Sequence, residues 1–238
     1  MKPLIIIPTY NEKDNIFNLI EEIKNNLKSQ EYSILFVDDN SKDGTIEIIE
    51  SLIENNNFIH ILKRPSKMGL ASAYIDGFKY GIEHGFDVFI QMDADFSHNP
   101  KYLVKMLDEL NNYDVIIGSR NIKGGCVVGW GLLRHIISKG GSLYSKLILN
   151  CPINDLTGGF NAWKKDVLEK INLNSIISKG YSFQIEMKYK AFKNKAKIKE
   201  IPIVFEDRKF GQSKMSKNIF FEAMMNIWKI RFDRRYNA

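Results

Sequence analysis

The stretch VFIQMDADFSHNP, residues 88–100, decides the fold. A short apolar run, Val88-Phe89-Ile90, leads to two aspartates one residue apart, Asp93 and Asp95, and the chain breaks at Pro100. An apolar run of this length bounded by turn residues reads as a buried strand. The same pattern recurs: LIII (4–7) runs into PTYNE (8–12), and ILFV (34–37) runs into DDNSKDGT (38–45). Helical patterns follow these strands. Ile16, Leu19, Ile20, Ile23 and Leu27 recur at three- and four-residue spacing, and Thr45–Ile53 comes next. Leu70–Ile82 follows the strand FIHIL (58–62), Tyr102–Leu110 follows the acidic stretch, and VIIG (115–118) ends the series. Strands alternating with amphipathic helices predict βαβ units on a mainly parallel sheet, an α/β fold. In open α/β sheets ligands bind outside the carboxyl ends of the strands, and three such ends here carry polar clusters.

Composition narrows the class without choosing a function. With 238 residues, 44% hydrophobic and 26% charged, the chain is long enough for one sizeable α/β domain and too ordinary for disorder. A net charge of +6 points to an anionic partner: a phosphate-bearing ligand, a membrane surface or a nucleic acid. Cys126 and Cys151 form no CxxC or Cys/His cluster, and His60, His84, His98 and His135 are scattered. A disulfide framework and a structural zinc site are therefore not expected, and a reducing compartment fits best. The opening MKPLIIIPTYNE is too short in its apolar run for a signal peptide, and no run reaches the length needed to span a bilayer. A soluble or membrane-surface chain is expected.

The second half is less regular. SRNIKGGCVVG (119–129) reads as a flexible Gly-rich loop, and Trp130–Leu149 as an apolar helix carrying Arg134, Lys139 and Lys146. Lys165–Ile171 and Phe183–Phe192 read as short helices, and IKEIPIVF (198–205) as a strand. RKFGQSKMS (208–216) is a basic loop, and the amphipathic tail 218–235, rich in Phe, Met and Trp, ends with Arg231, Arg234 and Arg235. No repeat or linker marks a second domain.

In an extended segment, Asp93 and Asp95 point to one side and repel unless a cation or proton sits between them. A hard divalent ion suits all-oxygen ligands, whereas a solvated Asx turn before Pro100 is the plain alternative. An EF-hand is excluded because Val104 stands at its twelfth loop position. In DDNSKDGT, Asp38 and Asp39 are placed to meet a ligand, and Ser41 or Asp43 to cap the next helix. No GxGxxG or GxxxxGK[ST] is present, so neither a dehydrogenase nor a P-loop cradle is expected. Arg120, Arg134, Arg208 and Lys214 are the cations that could pair with phosphate, and DLTGGF (155–160) offers Asp155 and Thr157 beside a glycine pair.

In order, PTYNE, VDDNSKDGT, MGLASAYIDGF, MDADFSHNP, GSRN, DLTGGF, SKGYSFQIEM and DRKFGQSKMS resemble family 2 glycosyltransferases. Within that family they are similar to the dolichyl- or polyprenyl-phosphate mannosyltransferase group. The resemblance spans about residues 3–216. It implies a single GT-A, Rossmann-like domain that transfers a sugar, by default mannose from GDP-mannose, to a polyprenyl (dolichyl) phosphate with Mg²⁺ or Mn²⁺. It also implies roles for particular residues. Pro8, Tyr10, Glu12, Val37 and Asp39 would hold the nucleoside. Asp93 and Ala94 would line the donor site, and Asp95 with Ser97 would bind the metal. Arg120 and Arg134 would meet the phosphates of donor and acceptor, and Arg208 and Lys214 would close over the donor. There are departures: Ser97 stands where some members carry Gln, Asn121 replaces an aromatic, and Asn161 replaces a basic residue and receives no role.

A phosphate nucleophile is already anionic, so this reading expects positioning and electrostatics without a side-chain base, and places His98 outside the chemistry. Amphipathic helices at 130–149 and 218–235 would contact the membrane on its cytoplasmic face, alone or with a small anchoring subunit. Transfer of glucose or another hexose, to the same lipid or to a sugar hydroxyl, is the alternative within enzymes. A non-catalytic membrane- or nucleic-acid-binding module would not need three acidic strand ends, so no nucleic-acid partner is expected.

Overall fold

The computed structural model describes residues 1–178, 180–207 and 217–233. Its centre is a seven-stranded sheet in the order β3-β2-β1-β4-β7-β5-β8. These strands are β1 (Pro3–Thr9), β2 (Ser33–Asp38), β3 (Ile59–Lys63), β4 (Val88–Gln91), β5 (Val115–Ser119), β7 (Asn161–Lys164) and β8 (Ile198–Pro202). Every pair is parallel except those of β7, which runs antiparallel to both β4 and β5. A separate two-stranded parallel ribbon joins β6 (Cys126–Val128) to β9 (Val204–Glu206).

Leu4–Ile7, Ile34–Val37 and Val88–Ile90 are buried on both faces, which is why these strands read as unbroken apolar runs. Helices cover both faces. On one lie α1 (Lys13–Asn26), α2 (Thr45–Ile53) and α4 (Leu103–Glu109), whose apolar residues pack with Ile5, Ile7, Ile34 and Phe36. Ile16, Leu19, Ile20 and Ile23 of α1 are fully buried, each contributing about 1.5–3 kcal/mol of transfer free energy. On the other lie α3 (Leu70–Glu83), α6 (Lys165–Ile171) and α7 (Tyr181–Lys193), with Leu4, Ile6, Leu35 and Val37 inside. Gly77 and Gly81 let α3 approach this face: a Cβ on Gly77 would come within 2.6 Å of Ile6, and one on Gly81 within 2.5 Å of Phe89. The helices α5 (Leu132–Leu149) and α8 (Lys217–Phe232) pack against each other, and α8 also packs on α7.

Two sequence expectations change, and two features are added. The Gly-rich segment 119–129 contains β6, paired through Cys126–Val128 with β9. IKEIPIVF divides at Ile203 into β8 and β9, which belong to different sheets. The segment NAWK, unassigned from sequence, is β7; only four residues long, it carries no alternating pattern. The helix α7 is buried around its circumference, with Gln184, Glu186, Lys188 and Lys190 all inside, so its polar residues do not mark a solvent face.

Candidate active site

Because β2, β1 and β4 are neighbours and parallel, the clusters PTYNE, DDNSKDGT and DADFSHNP converge at one sheet edge. Antiparallel β7 begins at that edge, so DLTGGF, which precedes it, arrives there too, as does Arg120 at the end of β5.

The three acidic loops each turn through one non-glycine residue with positive φ: Asn11 (58°), Asn40 (62°) and Phe96 (64°). Asn tolerates this region, whereas a bulky Phe held there costs on the order of 1–3 kcal/mol. The turn around Phe96, and not an extended strand, sets the directions of Asp93 and Asp95. The loops are laced to one another. Asn11 N donates to Ser41 Oγ (2.9 Å), Lys42 N to Asn11 Oδ1 (3.0 Å) and Glu12 N to Thr45 Oγ1 (3.0 Å). Asp43 accepts from the first backbone N–H of two helices, Lys13 of α1 (3.2 Å) and Thr45 of α2 (3.1 Å). The N-cap position of α2 is Gly44, and not Ser41 or Asp43; Asp43, one residue before it, supplies these acceptors, while Ser41 ties the loops together.

Asp38 and Asp39 separate in role. Asp38 is fully buried and accepts from Thr9 Oγ1, Ser41 N and Ser41 Oγ at 2.7–2.8 Å, so it is a structural clamp and the expectation that it meets a ligand is corrected. Asp39 Oδ2 accepts from Met68 N (3.2 Å) and Gly69 N (3.0 Å). Its Oδ1 lies 3.2 Å from Nε of the buried Arg64, an ion pair without hydrogen-bond geometry, and accepts no hydrogen bond. That orphaned buried oxygen is where a polar ligand group would bind. Val37 and Ala94 are buried beside these loops, Pro8 is half-buried, and Tyr10 is exposed with Lys67 Nζ 3.7 Å above its ring. Glu12 Oε2 accepts from Asn15 Nδ2 (2.8 Å).

In the DAD turn, Tyr74 of α3 donates to Asp93 Oδ1 (2.9 Å). Burial pushes the Tyr74 hydroxyl well above its ordinary pKa, and the charge of Asp93 adds to this, so it stays a donor. Ser97 donates to Asp95 Oδ1 through N (3.1 Å) and Oγ (2.6 Å), orienting that carboxylate. His98 is buried, stacked on Phe160 at 4.9 Å, and its Nδ1 accepts from Asp93 N (2.9 Å). It is part of the wall of the site and not a surface residue. Burial lowers its pKa, so the ring is neutral with its proton on Nε2. Asp93, Asp95 and the Ser97 hydroxyl form an all-oxygen donor set, which fits Mg²⁺ or Mn²⁺ and no softer metal. Among the described residues no three His, Cys, Asp or Glu side chains group as a metal cage. A hard ion here would draw its remaining ligands from substrate phosphate and water.

Opposite these acids stand two arginines. Arg120 is nearly buried, and Asp155 is completely so. Asp155 Oδ2 accepts from Arg120 N (2.9 Å) and Nε (2.7 Å), and Oδ1 from Nη2 (2.7 Å), while Thr157 Oγ1 accepts from Nη2 (2.9 Å). Burial alone would raise the Asp155 pKa, but the charge and hydrogen bonds of Arg120 hold it well below the usual carboxylate range. Arg134 packs on Trp130 at 4.0 Å and reaches Asp207 (2.8 Å), with Arg120 5.8 Å from the same ring. Trp130 touches Phe205 (5.4 Å), and Phe205 touches His98 (5.7 Å), so an aromatic row connects the arginines to the DAD turn. Thr157 also meets Ser142 of α5 at 3.0 Å, pinning that helix to the site. Arg208 and Lys214 lie outside the described residues.

Sequence reading missed Arg64, Tyr74 and the role of Asp155 as Arg120's counter-ion, and also Trp130, Phe205 and Lys188. Tyr74 and Arg64 could have been found as polar residues facing a core; the others answer only to tertiary structure.

A mainly parallel sheet with one antiparallel strand, and an acidic turn at its carboxyl edge facing arginines, defines a GT-A glycosyltransferase. The chain belongs to the family described as glycosyl transferase family 2, which matches residues 4–172. It is 40% identical over 227 residues to the undecaprenyl-phosphate mannosyltransferase of Micrococcus luteus, covering 95% of this chain and 93% of that protein. It is also 40% identical over 234 residues to the polyprenol monophosphomannose synthase of Mycolicibacterium smegmatis, covering 97% and 88%. Among solved structures it is similar in fold to glucosyl-3-phosphoglycerate synthase of Mycobacterium tuberculosis, crystallised with Mn²⁺ and UDP. The TM-score is 0.68 at 14% identity, over 98% of this chain and 79% of that one.

Proposed function

We propose that this protein transfers mannose, from GDP-mannose, to a polyprenyl phosphate with inversion at the sugar carbon, releasing GDP. The observation that carries the reading is the pairing of the Asp93–Asp95 turn with Arg120 and Arg134 across one aromatic row. The names of the two relatives at 40% identity support the lipid phosphate and the sugar.

In this reading Asp39, Pro8, Tyr10, Glu12 and Val37 hold the nucleoside, with Arg64 ion-paired to Asp39 and holding it in place. Asp93, fixed by Tyr74, and Ala94 border the sugar and its phosphates. Asp95, oriented by Ser97, with Asp93 nearby would hold Mg²⁺ or Mn²⁺, which when bound neutralises charge on the departing diphosphate. Solved structures of similar fold crystallised with UDP and Mn²⁺ or Mg²⁺ are consistent with a divalent ion beside a nucleotide. Arg120 would meet the phosphates of donor and acceptor, Arg134 would orient the acceptor phosphate, and Arg208 and Lys214 would close over the donor. The attacking oxygen is anionic at neutral pH, so no side chain need remove a proton. His98 fits that chemistry: with Nδ1 accepting from Asp93 N and a proton on Nε2, it has no lone pair left for a substrate.

The lipid acceptor brings the protein to a membrane. No helix among the described residues is long and apolar enough to cross one. Ile136, Leu143 and Leu147 of α5 and Met225, Trp228 and Phe232 of α8 are exposed, with Lys139 and Lys229 on the same helices. Trp228 donates to Tyr144 (2.8 Å), joining the two helices into one amphipathic surface suited to the headgroup plane. The free thiols of Cys126 and Cys151 suit the cytoplasmic side.

The test is to incubate the protein with Mn²⁺, GDP-mannose, UDP-glucose or related sugars, and a polyprenyl phosphate, and to identify the lipid product by mass. Polyprenyl phosphate mannose from GDP-mannose is expected; a hexose from another donor overturns the sugar assignment, and no product the activity. Flotation with anionic liposomes tests the surface, and no binding at low salt overturns it.

A further inference from the structure

Lys188, in α7, has its side chain completely buried, and its hydrogen bonds run to main-chain carbonyls. It donates to Asp155 O (2.8 Å) and Gly158 O (2.7 Å) and stands 3.4 Å from Leu156 O, three main-chain carbonyls of one turn. Burying an ammonium is costly unless something in the structure needs it. What this turn carries is Asp155. Its carboxylate receives three nitrogens of Arg120 and, at Oδ1, Gly158 N (2.9 Å), while its own N donates to Glu200 Oε1 (2.9 Å). The bonds to Nε and Nη2 fix the guanidinium plane, and among the described residues Nη1 has no partner.

We propose that Lys188 is a positioning residue for Arg120: it gathers the carbonyls of the Asp155–Gly158 turn from beneath and so holds the carboxylate that aims the arginine. The inference rests on the proposed role of Arg120 in holding phosphate, and it adds a buried charge that acts through two intermediates.

The groups facing Lys188 are Asp155, Glu200 and Cys151, which favour its charge, and Arg120, which opposes it; His98 lies within range on the other side of the turn. Burial outweighs them and brings its pKa down to about 8 from an ordinary 10.5. Activity that depends on the ammonium then falls as pH rises through this value. Stability moves oppositely. Between the folded value and 10.5 the unfolded chain binds more protons, so this group's contribution to stability rises with pH. A residue serving only the fold would not separate the two.

The experiment compares the wild-type chain with K188M and with K190M, a similarly buried lysine of the same helix that is bonded to Ser175 and ion-paired with Glu186. Amide exchange needs no turnover: in K188M the amides of Arg120 and Gly158 should exchange at least tenfold faster, and in K190M they should not. With turnover, K188M should lower kcat/KM for the lipid phosphate about 10- to 100-fold at pH 7 and remove the alkaline fall near pH 8. Unchanged exchange at Arg120 and Gly158, equal loosening by K190M, or an alkaline fall retained in K188M would each overturn the inference. A wild-type chain that turns over no nucleotide sugar overturns the proposed function instead, and the exchange comparison still decides the role of Lys188.

Discussion

The two sides of the site are built on different principles. The acidic side, at the ends of β1, β2 and β4, is a lattice of hydrogen bonds in which loop amides meet Asp38, Asp43, Asn11 and Ser41, beside the buried ion pair of Asp39 with Arg64. The lattice leaves Asp39, Asp93 and Asp95 turned to the sheet edge. The cationic side, at the end of β5 and the start of β7, is a chain of charges: Arg120, Asp155 and Lys188, whose side chains are buried, and the half-buried Glu200. Acids that repel can be held in place by many weak bonds until substrate and cation arrive. Cations that must wait for a phosphate in a partly buried place need a counter-ion of their own, or the desolvation cost is uncompensated.

The largest effect that would break this comparison lies on the acidic side. Asp95→Ala should reduce turnover by at least about a thousandfold, the several kcal/mol that charge neutralisation by a bound ion supplies, with little change in urea midpoint. Full activity would remove Asp95 from the chemistry. On the cationic side the same kind of change should act first on the fold. Arg120→Met leaves Asp155 buried without its partner and should lower stability by about 3–5 kcal/mol, measured by urea unfolding. If the two variants behaved alike, the distinction between lattice and charge chain would fail.

Acid sharpens the comparison further. Asp155 is held well below its ordinary 3.8, so its contribution is fully present above that value and is lost as pH falls toward the folded value. The wild-type melting temperature should therefore drop more steeply than that of Asp155→Asn below about pH 4. Parallel curves for the two proteins would show that the ion pair adds nothing to the fold.

The same difference explains what could be read in advance. The acidic side was legible because each of its parts is contiguous: an apolar run, a turn, two or three acids, a helix. The sheet order then only had to bring neighbours together. Even there, Asp38 and Asp39 differ by burial and partners that no spacing reveals. The cationic side was legible as motifs, GSRN and DLTGGF, but not as a device. Arg120 and Asp155 are 35 residues apart, and Arg134 and Asp207 are 73 apart. The place of Lys188 follows only from the enclosure of α7. β7 was missed because four residues between a glycine turn and a helix give periodicity nothing to act on.

The most direct test of the divided site is to measure the two substrates separately in one variant from each side. Asp39→Asn and Arg134→Ala serve, the second because its ion pair with Asp207 is partly exposed and its loss should cost the fold no more than about 1 kcal/mol. Calorimetric titration with GDP and Mn²⁺, paired with the KM for polyprenyl phosphate, gives both quantities. The account predicts nucleotide affinity at least about tenfold weaker in Asp39→Asn and unchanged in Arg134→Ala, with the acceptor KM raised only in Arg134→Ala. Equal weakening of both substrates in both variants would contradict it.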